Sequence, residues 1–265
     1  MLIAQISDPH IRPRGQLYYQ TVDSNADFAA AIRHLNSLDP RPDVVLLSGD
    51  VVDGGDKAEY AMARELLAPL EIPFLVIPGN HDRLEQFRSA FSDHRYLPKQ
   101  GPCNYIIDNC GPVRIIALDV TVPGQHYGDL NAASAKWLQR VLETDESRPT
   151  IIMMHQPPFA CGVPYLDLYL CRNGKRLETV IRRFSAIERI VCGHVHRHMQ
   201  LRFAGTVVCT APSTTTTIDL RLSPSARPAS YHEPGAFLLH HWKPDTGLIT
   251  HHGVIGRYPG PFPFA

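Results

Sequence analysis

Five apolar runs in this chain each stop on residues that can bind a proton or a metal, and no other feature constrains the fold as much. Residues 2–6 end on Ser7-Asp8-Pro9-His10, and 44–47 end on Ser48-Gly49-Asp50. Residues 74–77 break through Pro78 and Gly79 into Asn80-His81-Asp82, 151–154 run into His155-Gln156, and 189–192 deliver Gly193-His194-Val195-His196. Short apolar runs bounded by Gly or Pro read as buried strands. One Gly-Asn-His alone is compatible with an ordinary turn, because Gly and Asn tolerate the left-handed conformation. Five such strand ends point instead to one shared active-site lip.

Between these runs the apolar period changes from that of a strand to that of a helix. Phe28, Ala31, Ile32 and Leu35 recur at helical spacing before Asp39-Pro40, and Asp56-x-x-Glu59 opens a second helix over 56–67 as a variant of the capping box. Trp137, Leu138, Val141 and Leu142 mark a third helix, and Leu177, Val180, Ile181 and Phe184 a fourth. Alternating strands and helices predict an α/β fold with a largely parallel sheet, in which functional groups collect at the carboxyl ends of strands. Residues 104–108 and 113–119 are expected in a second sheet, and 200–252 in a small β meander. A Pro-, Ser- and Arg-rich stretch, 223–234, interrupts that meander as a surface loop or subunit contact. The expected partition is one domain over 1–255, with a cap or oligomerisation loop within 220–235 and a carboxyl-terminal arm over 256–265.

Twenty-six basic residues balance 26 acidic ones, so no overall field recruits a polynucleotide or an anionic membrane, and anion binding must be local. The amino terminus lacks a basic segment and reaches Asp8 too soon for a signal peptide, and no apolar run approaches the length of a membrane span. A cytoplasmic location is therefore expected, with the six cysteines as thiols and a Cys103–Cys110 or Cys161–Cys171 disulfide as the alternative. They form no C-x-x-C pair.

Asp8, His10, Asp50, Asn80, His155, His194 and His196 supply oxygen and imidazole nitrogen donors and no thiolate. That mixture suits divalent first-row metals better than Ca²⁺. Seven donors are too many for one such ion, whereas two ions sharing a carboxylate use them all. Two ions about 3.5–4 Å apart can hold a hydroxide between them and stabilise both the entering and the leaving oxygen of a phosphoryl group.

The ordered series Asp-x-His, Gly-Asp, Gly-Asn-His-Asp, His, Gly-His-x-His, running from Asp8 to His196, resembles the calcineurin-like metallophosphoesterase superfamily. Within it the chain is similar to the bacterial class III phosphodiesterases, cyclic-nucleotide phosphodiesterases and glycerophosphodiesterases. The glycerophosphodiesterase branch is suggested by His155-Gln156-Pro157-Pro158-Phe159, Cys171-Arg172-Asn173-Gly174 and Tyr258-Pro259-Gly260-Pro261. The resemblance implies a sandwich of two mixed β-sheets flanked by α-helices, with a dinuclear metal site at strand ends. It assigns Asp8, His10, Asp50 and His196 to the first ion, and Asp50, Asn80, His155 and His194 to the second, which Asn80 holds weakly. It makes His81, with Asn80, the residue that meets the substrate phosphate or protonates the leaving alkoxide. It also implies Mn, Fe, Co or Zn as the metals, and a homo-oligomer. The run Thr214-Thr215-Thr216-Thr217 departs from the pattern, which carries His or Gln there.

The expected activity is hydrolysis of a small phosphodiester, a glycerophosphodiester or a cyclic nucleotide. The alternatives are a phosphomonoesterase, a nuclease, or a non-catalytic scaffold of the same fold. No basic stripe with interleaved aromatics supports a nuclease, and a scaffold is expected to have lost ligands that are all present here. Asp53 and Asp82 are candidates to orient metal-binding imidazoles, Asp53 alternatively to cap a helix. Arg12, Tyr18 and Tyr19 are candidates for a pocket wall or for an ordinary solvated loop. His240, His241, His251 and His252 read as structural or surface residues.

Overall fold

The computed structural model describes residues 1–263; the last two residues of the expected arm, Phe264 and Ala265, lie outside the described residues. The amino-terminal half is laid down as β1 (Leu2–Ile6), α1 (Ser24–Asn36), β2 (Val44–Leu47), α2 (Lys57–Leu67), β3 (Phe74–Val76) and α3 (Leu84–Ala90). There follow β4 (Tyr105–Ile107), β5 (Arg114–Ala117), β6 (Gly128–Asp129), α4 (Ala132–Glu143), β7 (Thr150–Met153), β8 (Cys171–Arg172), α5 (Gly174–Ile181) and β9 (Ile187–Cys192). The chain closes with β10 (Met199–Phe203), β11 (Thr206–Thr210), β12 (Thr217–Ile218), β13 (Ser230–Tyr231), β14 (Ala236–Lys243) and β15 (Gly247–Val254). Among the described residues no helix is long and apolar enough to cross a membrane.

Two mixed sheets form, one in the order β15-β14-β1-β2-β3 and the other β10-β11-β9-β7-β5-β4. Within them β1, β2 and β3 run parallel to one another, as do β5, β7, β9 and β11. The sheets meet face to face: Ile3, Leu46 and Leu75 of the first pack with Ile115, Ile151, Met153 and Val191 of the second in a single buried cluster. Each side chain of that kind contributes about 1.5–3 kcal/mol by leaving water. The outer faces are covered by α1, α2 and α3 on one side and by α4 and α5 on the other.

The local reasons are those the sequence suggests. Asp23 caps α1 by accepting from the Ala26 amide at 3.0 Å, and Phe28, Ala31, Ile32 and Leu35 form the buried face of that helix. Glu59 reaches back to the Asp56 amide at 3.0 Å to open α2, so the cap there is Asp56 and not Asp53. All six cysteines are thiols, and Cys192 and Cys209 are buried in β9 and β11.

Two elements differ from expectation. The carboxyl-terminal strands do not form one meander: the hairpin β10–β11 extends the second sheet through β9, whereas β14–β15 extends the first through β1. Alternating apolar residues specify that a segment is a strand, not which sheet edge it covers. Helix α3 was not expected in a stretch crowded with turn residues; it is held by Phe87 and, just past its end, Phe91, both fully buried against Tyr60.

Candidate metal centre

Three of the parallel strands, β1, β2 and β9, run directly into left-handed backbone. Asp8, His10, Asp50, His194 and His196 all have positive φ, between 46° and 71°, and they are five of the nine non-glycine residues in that region among the described residues. The conformation costs roughly 1–2 kcal/mol per residue, so it persists only where the surroundings enforce it. Here they do. The amides of Asp8 and His10 are tied to the carbonyls of Gly49 and Asp50, each at 3.2 Å, and Pro9 and Val195, between the paired left-handed residues, are buried. The glycines leave no room for a side chain: a Cβ on Gly79 would lie 2.2 Å from Asp50 Oδ1, and one on Gly193 2.1 Å from Ser7 Oγ.

The result is a single cleft in which all seven predicted ligands converge, together with His81. The side chains of Asp8, His10 and His196 lie within 4.8 Å of one another, as do those of Asp50, His155 and His194. Asp50 Oδ2 is 3.2 Å from His155 Nε2 and 3.9 Å from His10 Nε2, which places this carboxylate against both groups. Asp8 Oδ1 is 3.7 Å from His196 Nε2. Asn80 Oδ1 lies 2.9 Å from His194 Nδ1. Asn80 and His81 are only partly buried; the other six are buried.

Proton positions follow from the partners. His155 Nδ1 faces the Ser48 carbonyl at 2.8 Å and His196 Nδ1 the Thr216 carbonyl at 3.0 Å, and a carbonyl can only accept, so both Nδ1 atoms carry hydrogen. His10 Nδ1 faces the Asp53 carboxylate at 3.6 Å. The Nε2 lone pairs of His155 and His196 are thereby aimed at Asp50 and Asp8, and His196 Nε2 lies 3.1 Å from His10 Nε2, while His10 Nδ1 is buried with no hydrogen-bond partner. His194 Nε2 is buried with no partner. Lone pairs facing carboxylates with no donor between them are a poor arrangement for a protein alone and a good one for divalent cations, so the residues fit the metals their chemistry implies.

The electrostatics without a cation express the same conflict. Burial alone would lower His155, yet Asp50 and Asp8 overcome it and raise it to about 9. His81 is raised to about 10 in the same way, burial being outweighed by Asp50 and Asp53. Burial and the charges of other imidazoles push His194 down to about 3 and His196 well down. Burial lifts Asp8 to about 6, aided by Asp50, while Asp50 is held well below the usual carboxylate range by His155 and His81 against its own burial. Asp53 is held low by His10 and His81 against its own partial burial.

Asp53 and Asp82 turn out to have different tasks. Asp53 faces both His10 and His81 and is gripped by Arg12 at 2.7 Å, while Arg12 also reaches Glu59 at 2.8 Å. Asp82 holds backbone instead, accepting from the Gly79 and Val51 amides and from the Tyr60 hydroxyl. Arg12 is thus a brace beneath the cleft and not part of its wall. Tyr18 is buried and stacks on the His10 ring with centroids 4.8 Å apart, while exposed Tyr19 lines the opening.

The cleft opens into a cavity of about 230 Å³ walled by Tyr19, Tyr165, Tyr169, Ile218 and residues 228–230. A larger groove of about 810 Å³ adjoins it across Asn80, His81 and His126. Sequence reasoning missed His126, in a loop, and Tyr165 and Tyr169, at the two ends of a short 3-10 helix (Leu166–Tyr169), all away from the apolar strands that revealed the other residues. It also missed the Ser48 and Thr216 carbonyls, because backbone acceptors have no residue signature. The Cys171-Arg172-Asn173-Gly174 turn packs beneath the cleft: the Cys171 amide donates to the Pro157 carbonyl at 3.0 Å, and a Cβ on Gly174 would meet the Pro158 carbonyl at 2.6 Å.

A family model of calcineurin-like phosphoesterases matches residues 1–198, the span that carries every residue of the cleft named above up to His196. The chain belongs to this family. It is 33% identical over 266 residues to the glycerophosphodiester phosphodiesterase GpdQ of Enterobacter lignolyticus, covering 99% of this chain and 94% of that protein. It is 30% identical over 258 residues to the cAMP/cGMP dual specificity phosphodiesterase MT0825 of Mycobacterium tuberculosis, covering 96% and 79%. In fold it is similar to a dimetal phosphatase from Danio rerio, with a TM-score of 0.61 at 15% identity over 97% of this chain and 99% of that one.

Proposed function

We propose that this calcineurin-like phosphoesterase is a metal-dependent phosphodiesterase that hydrolyses small phosphodiesters, glycerophosphodiesters or cyclic nucleotides. The observation that carries the reading is the nest of imidazole lone pairs around Asp8 and Asp50, with His81 beside it and not within it. Asp8, His10, Asp50 and His196 would hold a first divalent ion, and Asp50, Asn80, His155 and His194 a second, with Asp50 shared. Two such ions, drawn from Mn, Fe, Co or Zn, supply Lewis acidity, an activated water at neutral pH and charge to offset the phosphate.

The chain's own contributions are orientation and proton handling. His81 Nδ1 donates to the Asp53 carbonyl at 2.7 Å, and its backbone amide donates to Asp50 Oδ1 at 2.8 Å. The imidazole is therefore fixed with Nε2 free to meet a phosphate oxygen or to protonate a leaving alkoxide on the side opposite attack. Asn80 lies at the same rim and contacts the substrate. The tyrosine-walled cavity of about 230 Å³ has room for one compact ester arm.

A cap or oligomerisation loop within 220–235 is supported, as a cap, by residues 228–230 in the cavity wall and, as a contact between subunits, by exposed Leu220, Leu222 and Tyr231. The six free thiols favour a reducing, cytoplasmic setting. The deciding experiment is turnover of bis(p-nitrophenyl) phosphate against p-nitrophenyl phosphate by chelator-stripped protein, with and without added Mn²⁺, Co²⁺ or Zn²⁺. Metal-restored activity that favours the diester is expected. Preference for the monoester would make the chain a phosphatase, and inactivity with every metal would make it a scaffold.

A further inference from the structure

Loop 121–128 reaches the cleft through one residue, His126, and that residue has no place among the ligands. The loop is closed on itself: the Asp129 amide donates to the Val120 carbonyl at 2.7 Å, the Gln125 amide to the Val122 carbonyl at 2.9 Å, and Thr121 bridges to Gly128. Its closure leaves His126 on the ridge between the two cavities, Nδ1 3.3 Å from Asn80 Nδ2.

The direction of that contact can be deduced. Gln156 is fully buried, and one of its amide atoms lies 3.2 Å from the His126 carbonyl oxygen and 3.4 Å from an amide atom of Asn80. A carbonyl oxygen only accepts, so the Gln156 atom is the Nε2 donor. The Asn80 atom facing it must then be the Oδ1 acceptor. The other Asn80 atom is Nδ2, which only donates, so His126 Nδ1 accepts and its proton rests on Nε2. His126 therefore determines the Asn80 amide from both ends, through its carbonyl by way of Gln156 and through its ring directly. With both contacts in place the Asn80 oxygen points at His194 and the cluster of Asp50 and His155.

We propose that His126 is a positioning residue that keeps the Asn80 carbonyl turned toward the second metal position, so that loop 121–128 sets how firmly the second ion is held. The inference rests on the reading of Asn80 as a ligand. An amide is nearly symmetric in shape, and without a partner on Nδ2 it can present its NH₂ group to the cluster, where two donor hydrogens oppose a cation. Asn80 is the one neutral oxygen ligand in the set and the most exposed, so it is where orientation is least secured by burial.

The test is a calorimetric titration of chelator-stripped protein with Mn²⁺ and separately with Co²⁺, which reads binding without turnover. His126→Ala is expected to weaken the second binding event about 10-fold and leave the first within about twofold, and Gln156→Leu to weaken it further. His126→Gln, which keeps an acceptor, should recover part of the loss. In an Asn80→Ala background the His126 substitution should have no further effect, because it acts through that amide. Wild-type binding of the second ion by both His126→Ala and Gln156→Leu would overturn the proposal, as would full additivity with Asn80→Ala. Binding of a single ion by the wild-type protein would instead sink the two-ion reading, and the role of His126 with it.

Discussion

The protein buries histidine in two places, and it treats the ring oppositely in each. In the first sheet His240 lies on β14 with no exposure; Nδ1 meets the Thr250 hydroxyl at 2.9 Å and Nε2 meets the Gln5 side-chain oxygen at 3.2 Å. Both nitrogens are satisfied within the protein, and the surrounding backbone is regular strand. In the cleft, His155 and His196 each satisfy Nδ1 with a backbone carbonyl and leave Nε2 aimed at carboxylates, His10 keeps a buried Nδ1 with no hydrogen-bond partner and presents Nε2 to Asp50 and His196, and His10 and His196 stand on left-handed backbone. A buried histidine is thus not in itself a ligand; the distinguishing feature is a nitrogen the protein has left for something else. The following changes test that distinction in descending order of expected effect.

Asp50→Asn should do the most damage. The amide is the same size and can still accept from the His81 backbone amide, as Oδ1 now does, so the fold should be retained. It removes the charge that faces both groups of imidazoles. Metal content measured by atomic absorption should fall for both ions, and kcat/KM for bis(p-nitrophenyl) phosphate should drop by about 10⁴, a loss of about 5.4 kcal/mol of transition-state stabilisation. Unchanged metal content would show that the two groups do not share this carboxylate.

His81→Ala should divide chemistry from metal binding. His81 is anchored to Asp53 and not to the lone-pair nest, so metal content should stay at the wild-type level while kcat falls about 10²–10³ as a proton-transferring or phosphate-binding group is lost. A variant that lost metal and activity together would place His81 with the ligands and erase the difference drawn here. Tyr18→Ala should act more gently, on the first group alone. It removes the ring stacked on His10 and frees that imidazole to tilt, so the first ion should be bound several-fold more weakly while the second is little changed.

How far this was readable beforehand depends on what the physics writes into the side chains. The parallel strands and their loaded ends could be read from 2–6, 44–47, 74–77, 151–154 and 189–192, because burial on both faces demands continuous apolar runs and the cleft demands polar residues directly after them. All seven candidate ligands and His81 were found that way. The partners that orient them were not. The Ser48 and Thr216 carbonyls are backbone, and His126 reaches Asn80 only because loop 121–128 closes on itself. Asp53 was an even choice between cap and orienter, and only the position of Asp56 at the start of α2 decides it. The division of the last strands between two sheets was equally hidden, since β11 and β14 are both apolar strands and differ only in the partner each pairs with, β9 for one and β1 for the other.

The smallest expected effect belongs to His240 and concerns stability, not catalysis. Burial, with help from the positive charge of Arg189 and from His198, lowers its pKa to about 3. An unfolded chain would titrate this ring near 6.5. Between those values the unfolded state binds more proton than the folded state, so stability is full above about pH 6.5 and falls as the pH drops, by about 1.4 kcal/mol per unit once the pH is below about 6. His240→Gln should cost about 1 kcal/mol at pH 7 by weakening one hydrogen bond, and it should then lose less stability than the wild type on acidification, since Gln does not titrate. Urea denaturation at pH 7, 6 and 5 should show the two curves converging near pH 6 and crossed at pH 5, because the wild type loses about 2 kcal/mol over that range. Parallel curves would mean that the ring accepts a proton inside the fold, and His240 would then have to be counted with the cleft histidines as a group whose protein partners do not satisfy it.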